Sequence, residues 1–152
     1  MQKSCFLFGH ADTPQSVLPL LSQAIENEIA KGVSVFCVGY HGNFDRTATS
    51  ALKAAKRRHA DIIVLLVLPY HPTEQAIVLP DGFDGTYYPP LEGIPRKYAI
   101  VRTNQYMIKT ADSLICYVKH HGNTEKLLNQ ALRLKKSKTL RINNLADRSS
   151  LT

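Results

Sequence analysis

The stretch VFCVGYHGNFD (Val35–Asp45) decides the fold. An apolar run rich in β-branched residues ends in two glycines around Tyr40 and His41, and a helical pattern starts at once. Phe44, Ala48, Ala51, Leu52 and Ala55 recur on one helix face, with basic residues opposite. Strand, glycine turn and helix in that order make one unit of an α/β protein.

The same order recurs on either side. Cys5–Phe8 reads as a strand. Thr13-Pro14 predicts an N-cap and first-turn pair, ahead of a helical stripe of Val17, Leu18, Leu21, Ile25 and Ile29. Pro19 sits in that helix's first turn or delays its start, and Gly32 stops it. Val33–Val38 is the second strand. DIIVLLVLP (Asp61–Pro69) is continuously apolar, the pattern of a central parallel strand covered on both faces. Six of the eight prolines fall between Pro69 and Pro95. The aperiodic segment 69–97, with Phe83, Tyr87 and Tyr88, reads as a lid over a site. Regularity resumes with the short apolar YAIV (Tyr98–Val101), a helix over Asn104–Ala111 and the strand SLICYVK (Ser113–Lys119). The turn HHGN, a helix carrying Leu127, Leu128, Ala131 and Leu132, and a last strand TLRI (Thr139–Ile142) follow. Ala60-Asp61 and Ala111-Asp112 are helix-to-strand turns.

The expected architecture is one α/β domain over 1–152, Rossmann-like and doubly wound, with a mainly parallel sheet of about five strands and helices on both faces. Its 152 residues, 44% apolar and 20% charged, suit a soluble globular chain. No apolar run reaches the roughly 20 residues of a membrane span, and MQKSCFLFGHAD reads as a first strand rather than a signal peptide. Cys5, Cys37 and Cys116 lie in strand-like runs, as buried reduced thiols of a cytoplasmic protein. The formal charge of +7 points to an anionic partner or to a solvated basic helix face.

In such sheets ligands bind beyond the carboxyl ends of the strands. Five of the six histidines leave strands at that edge: His10, His41, His71, His120 and His121. Gly39 and Gly42, and later Gly122, let backbone amides approach a ligand, while helix N-termini favour its negative charge. The dinucleotide fingerprint and the phosphate loop are absent, as are a nucleophile elbow and paired metal-ligand spacings. No metal or cofactor is implied. Asp45 caps its helix, bonds a turn amide or accepts from a ribose or base. Glu92 is the carboxylate that a lid would carry inward.

Together, FGHAD (Phe8–Asp12), VGYHGNFD (Val38–Asp45), LVLPY (Leu66–Tyr70), IPRKYAIVRTNQYMIKTAD (Ile94–Asp112) and YVKHHGNTEKLLNQA (Tyr117–Ala131) resemble the SLOG family. This Rossmann-like group includes DprA and the LOG-type proteins, and the likeness is to its small stand-alone bacterial members. The resemblance implies nucleotide binding at the strand ends and a homodimer. It nominates Gly9, His10 and Asp12 from the first motif, then Gly39, Gly42, Phe44 and Asp45. Arg102, Asn104, Tyr106 and Met107 follow, with Gly122, Asn123 and Thr124 from the last turn. His41 and Tyr70 join them on position, Arg102 as a phosphate partner and Tyr70 or Tyr106 as a base stack. Ala11 stands where the family has arginine. The Pro-Gly-Gly-x-Gly-Thr-x-x-Glu motif of nucleotide-cleaving members is absent, so their hydrolase activity does not transfer.

The functional expectation is a sensor or sequestering protein for an ADP-ribose-like or cyclic-nucleotide ligand, without established chemistry. The alternatives are an N-glycosidase using Glu92 or Asp12, and single-stranded DNA binding through Lys135, Lys136 and Lys138.

Overall fold

The computed structural model describes residues 2–71 and 77–149. Six strands form one sheet in the order β4-β3-β2-β1-β5-β6, every pair parallel. They are β1 (Lys3–Gly9), β2 (Val33–Val38), β3 (Ile63–Val67), β4 (Gly85–Tyr87), β5 (Ser113–Tyr117) and β6 (Arg141–Asn144). Helices α1 (Leu18–Ala30), α2 (Asn43–Arg58), α3 (Ala99–Thr110), α4 (Asn123–Leu134) and α5 (Leu145–Ser149) complete the fold. This is the Rossmann-like α/β class expected, with one strand more.

Alternation along β1 divides the core. Cys5 and Leu7 join the cluster that includes α1 and α2, whereas Phe6 and Phe8 join the one that includes α3 and α4. Phe36, Leu21, Ile25 and Leu52 are fully buried on the first face, and Ile108 and Leu114 on the second. Each such side chain stabilises the fold by about 1.5–3 kcal/mol. All three cysteines are free and buried, and burial pushes their thiols above the ordinary range.

Three local expectations are corrected. Thr13 does not cap α1: its hydroxyl donates to the His10 carbonyl at 2.6 Å, and a 3₁₀ turn over Gln15–Val17 delays the helix to Leu18. Pro19 then occupies the first turn, where its missing N–H costs nothing. Ala99–Val101 of YAIV belong to α3, which starts at Ala99 rather than Asn104 because the turn Arg96–Tyr98 leads straight into it. Within the segment expected as a lid, residues 72–76 lie outside the described residues, and Gly85–Tyr87 pairs with β3 as an edge strand. Phe83 is buried in the core and Tyr88 packs against it, so these aromatics anchor the segment to the sheet.

Asp84 accounts for that docking. Its carboxylate accepts from the Val64 amide at 2.7 Å and from Lys56 at 2.8 Å, while its own amide donates to the Val64 carbonyl at 2.8 Å. Asp112 closes the Ala111 turn similarly, accepting from the Ser4 amide at 2.8 Å.

Because β5 lies beside β1 on the side away from β2, the chain order reverses at β1. The β2–α2 and β5–α4 turns therefore flank the end of β1, their helices passing to opposite faces. Asp84→Ala is expected to cost about 1–2 kcal/mol in urea unfolding. It should also speed hydrogen exchange at the Leu68 amide, which bonds the Tyr87 carbonyl, more than at Leu7 in β1. Equal acceleration at both would contradict this anchoring role.

Candidate functional site

Two glycines set how closely α2 meets the end of β1. A Cβ on Gly9 would lie 2.4 Å from the Phe44 ring, and one on Gly42 would lie 2.7 Å from Ala11 Cα. The contact is completed by the Asn43 amide, which donates to the Ala11 carbonyl at 3.0 Å. Phe44 is fully buried and works as a packing wedge beneath the turn.

Asp45 Oδ2 accepts from the His41 amide at 2.9 Å, bracing the turn that leads into α2. Burial raises its pKa, and that hydrogen bond opposes the shift. The β5–α4 turn repeats the local sequence: HGNFD (His41–Asp45) is matched by HGNTE (His121–Glu125). Here the acid braces a side chain, with the Glu125 oxygens 2.9 and 3.0 Å from His121 Nδ1. Gly122 opens α4 at φ +145°, a conformation that strains any residue with a Cβ.

Behind this rim, His10 ties β1 to the β5 turn. Its Nε2 accepts from the Lys119 amide at 2.9 Å and the His120 amide at 3.2 Å, so the ring is neutral. Burial lowers its pKa, and the His120 charge lowers it further. The His120 ring stacks on it at 3.6 Å, with Nδ1 against the His121 carbonyl at 3.0 Å and Nε2 against Asp12 at 3.1 Å. Two acceptors on one imidazole favour its protonated form and raise its pKa. His10, Asp12 and His120 bring metal-ligating types within 4.8 Å of one another. With His10 Nε2 already accepting two amides, His120 bonded at both nitrogens and the rings parallel, the cluster works as a hydrogen-bonded clamp.

A cleft of about 370 Å³ opens in front of these turns, within the range of small-molecule sites. Phe6, Phe8 and Leu127 give it apolar surface. Gly9, Ala11, Gly39, His41, Gly42 and Asp45 line the α2 side. Helix α3 supplies Ile100, Val101, Asn104 and Gln105, and α4 supplies Asn123, Thr124, Lys126 and Gln130. Among the described residues, Lys126 is the one lysine or arginine in this lining.

The expected site residues thus separate. Gly9, Gly39, His41, Gly42, Asp45, Asn104, Asn123 and Thr124 line the cleft, and Gly122 caps α4 beside it. His10, Asp12 and Phe44 lie behind or beside it as clamp and wedge. Met107 is buried in the core, and Tyr106 packs against the same cluster, where it bonds Tyr87. Tyr70 and Arg102 line a different, smaller cleft across α3. Glu92 is exposed and lines neither cleft. The sequence reading missed the amides Gln105, on α3 beside Asn104, and Gln130, on α4 seven residues beyond Asn123.

A wider basic hollow, about 760 Å³, lies at the opposite end of the strands, between the C-termini of α1 and α4. Glu28 pairs there with Arg141 at 2.9 Å, and Lys138 donates to the Lys109 and Ala111 carbonyls at 2.6 and 3.0 Å. Lys31, Lys135 and Lys136 sit at helix ends whose dipoles favour cations.

No protein-family model and no curated protein matches the sequence. Among solved structures, the molybdenum cofactor binding protein from Rippkaea orientalis superposes with a TM-score of 0.58 at 14% identity, covering 99% of this chain and 83% of its own. That likeness establishes the fold. A probable mandelate racemase from Alicyclobacillus acidocaldarius, at TM-score 0.36 and 17% identity over 93% of this chain and 41% of its own, carries no argument. No helix among the described residues is long and apolar enough to cross a membrane.

Because neutral His10 holds two amides, its contribution to stability is complete above the ordinary histidine pKa of 6.5 and is lost as pH falls through its lower folded value. His120 and His121 have the opposite sign, their raised values favouring the protonated fold, but both are exposed and screened by solvent. His10→Leu should cost about 1–3 kcal/mol at pH 7.5 in urea unfolding. The gap from wild type should narrow towards pH 5. A gap that stays constant or widens on acidification would contradict the clamp.

Proposed function

We propose that this chain binds a nucleotide or nucleotide-derived small molecule in the cleft between α3 and α4, as a SLOG-type sensor or sequestering protein. The observation that carries the reading is the pairing of two features in one cavity. Glycine-capped N-termini of α2 and α4 flank its mouth, and the side-chain amides Asn104, Gln105 and Gln130 line it beside Phe6, Phe8 and Leu127.

The division of labour follows from elementary chemistry. First-turn N–H groups of a helix lack intrahelical acceptors and favour phosphate oxygens. An amide side chain offers both donors and an acceptor, as the edge of a nucleobase or similar heterocycle requires. With Lys126 as the one lysine or arginine of the lining among the described residues, phosphate recognition would rest mainly on backbone dipoles and Thr124. The Rippkaea orientalis molybdenum cofactor binding protein is a precedent for small-molecule binding on this fold. ADP-ribose-like and cyclic-nucleotide ligands combine the heterocycle and phosphate that such a cleft suits. A glycosidase reading finds no comparable support, since Glu92 lies outside the cleft lining and Asp12 is engaged by His120.

Thermal unfolding across ADP-ribose and a panel of cyclic nucleotides tests the proposal. A ligand at about 100 times its Kd stabilises by about 2.7 kcal/mol, which for a domain of this size raises Tm by about 5–10 °C. The Asn104→Ala/Gln130→Ala variant should bind at least about tenfold more weakly while keeping the unliganded Tm close to wild type. A panel that leaves Tm unmoved would contradict the reading.

A further inference from the structure

The turn between β5 and α4 hangs on one imidazole. His10 Nε2 accepts from the Lys119 and His120 amides at 2.9 and 3.2 Å, so the ring carries its proton on Nδ1. Neither amide has a backbone acceptor among the described residues. Residues 119–122 are exposed, and the chain is fixed on both sides of them. Upstream, the Asn144 side chain accepts from the Val118 amide and donates to the Val118 carbonyl, both at 3.0 Å. Downstream, α4 starts at Asn123, and Asn123 and Thr124 line the cleft.

We propose that the stacked His10–His120 pair is an acid-released latch: protonation of His10 frees residues 119–122 and loosens the α4 side of the cleft. This adds regulation to the site proposed above, and rests on that reading only for the ligand let go. Protonation turns Nε2 from an acceptor into a donor facing two N–H groups, so both bonds are lost together. It also stacks two imidazolium rings at 3.6 Å and 9° between planes. His120, bonded to the His121 carbonyl and to Asp12, is the ring of the pair that protonates first.

The charged groups acting on His10 are His120 from the turn, Asp12 from its own loop and Glu125 from α4. The Tyr117 ring meets it edge-on at 6.4 Å. Burial and then the His120 charge hold its pKa down, and the two carboxylates oppose them. The turn is therefore held above that lowered value and released as pH falls through it.

The release is local. The His10 amide keeps the Tyr117 carbonyl at 3.3 Å and the His10 carbonyl keeps the Thr13 amide at 3.2 Å, bonds that do not titrate. Across the cleft, the β2–α2 turn is held by close packing of Gly42 on Ala11, which has no proton to gain. Acid thus loosens one flank of the cleft and leaves the other in place.

The ¹⁵N-labelled full chain, followed by NMR without ligand from about pH 8 to about pH 5, tests the latch. The His10 ring nitrogens should titrate with a midpoint below 6.5. The heteronuclear NOE at Lys119 and His120 should fall with that midpoint, while Val118 and Asn43 keep theirs. In His10→Gln an amide oxygen replaces the acceptor and does not titrate, so the NOE should stay high throughout. A His10 ring still neutral at the acid end, NOEs that ignore its titration, or the same loss in His10→Gln would overturn the latch. So would loss at Val118 and Asn43 with the same midpoint, which is unfolding. With ADP-ribose as probe, one pH unit below the midpoint should raise the apparent Kd about tenfold relative to His10→Gln, because about one molecule in eleven stays latched. A Kd ratio that stays flat across the midpoint would overturn the coupling to the cleft. ADP-ribose that binds at no pH, with the NOE transition present, supports the latch and contradicts the nucleotide reading alone.

Discussion

The close approach of α2 to the end of β1 is the constraint on which the strand edge depends. Gly9 leaves room for the Phe44 ring and Gly42 leaves room for Ala11, each where a Cβ would come within 3 Å. The bond from the Asn43 amide to the Ala11 carbonyl then fixes the two turns against each other. A larger side chain at either glycine would force the helix away from the strand and remove its N-terminus from the mouth of the cleft. An alanine, not a long cation, at position 11 belongs to the same fit, since the Gly42 backbone packs directly on it.

The other flank is held by hydrogen bonding rather than by close packing. His10, buried and neutral, accepts the Lys119 and His120 amides and so sets the β5–α4 turn beside the β1 turn. The two His-Gly-Asn turns then face the cleft from either side of β1. Their acids serve the turns themselves, Asp45 on the His41 amide and Glu125 on the His121 ring. The N-termini of two helices flank the same opening.

Much of this was legible in the sequence, for physical reasons that can be named. Continuous apolar runs identified β1, β2, β3 and β5, and the glycine turns located the edge where Gly39, Gly42, Asn123 and Thr124 line the cleft. What failed was the face of a helix whose start was misplaced. With α3 read from Asn104, nothing assigned Arg102 to one side and Asn104 to the other, and Gln105 went unnoticed. Tyr70 was likewise placed by its strand end alone, although β3 stands one strand further from the switch point than β2. β4 was hidden because three residues dock through the Asp84 side chain and carry no periodic signal of their own. His10 and Phe44 have residue types that suit ligand contact, and burial gave them structural work instead.

The most direct test of the central claim is a crystal structure of the protein grown with ADP-ribose. The account predicts the ligand between α3 and α4, its heterocycle against Asn104, Gln105 and Gln130 and its phosphates before the N-termini of α2 and α4. Ligand density in the basic hollow around Lys135 and Lys136, with the cleft between α3 and α4 empty, would contradict it.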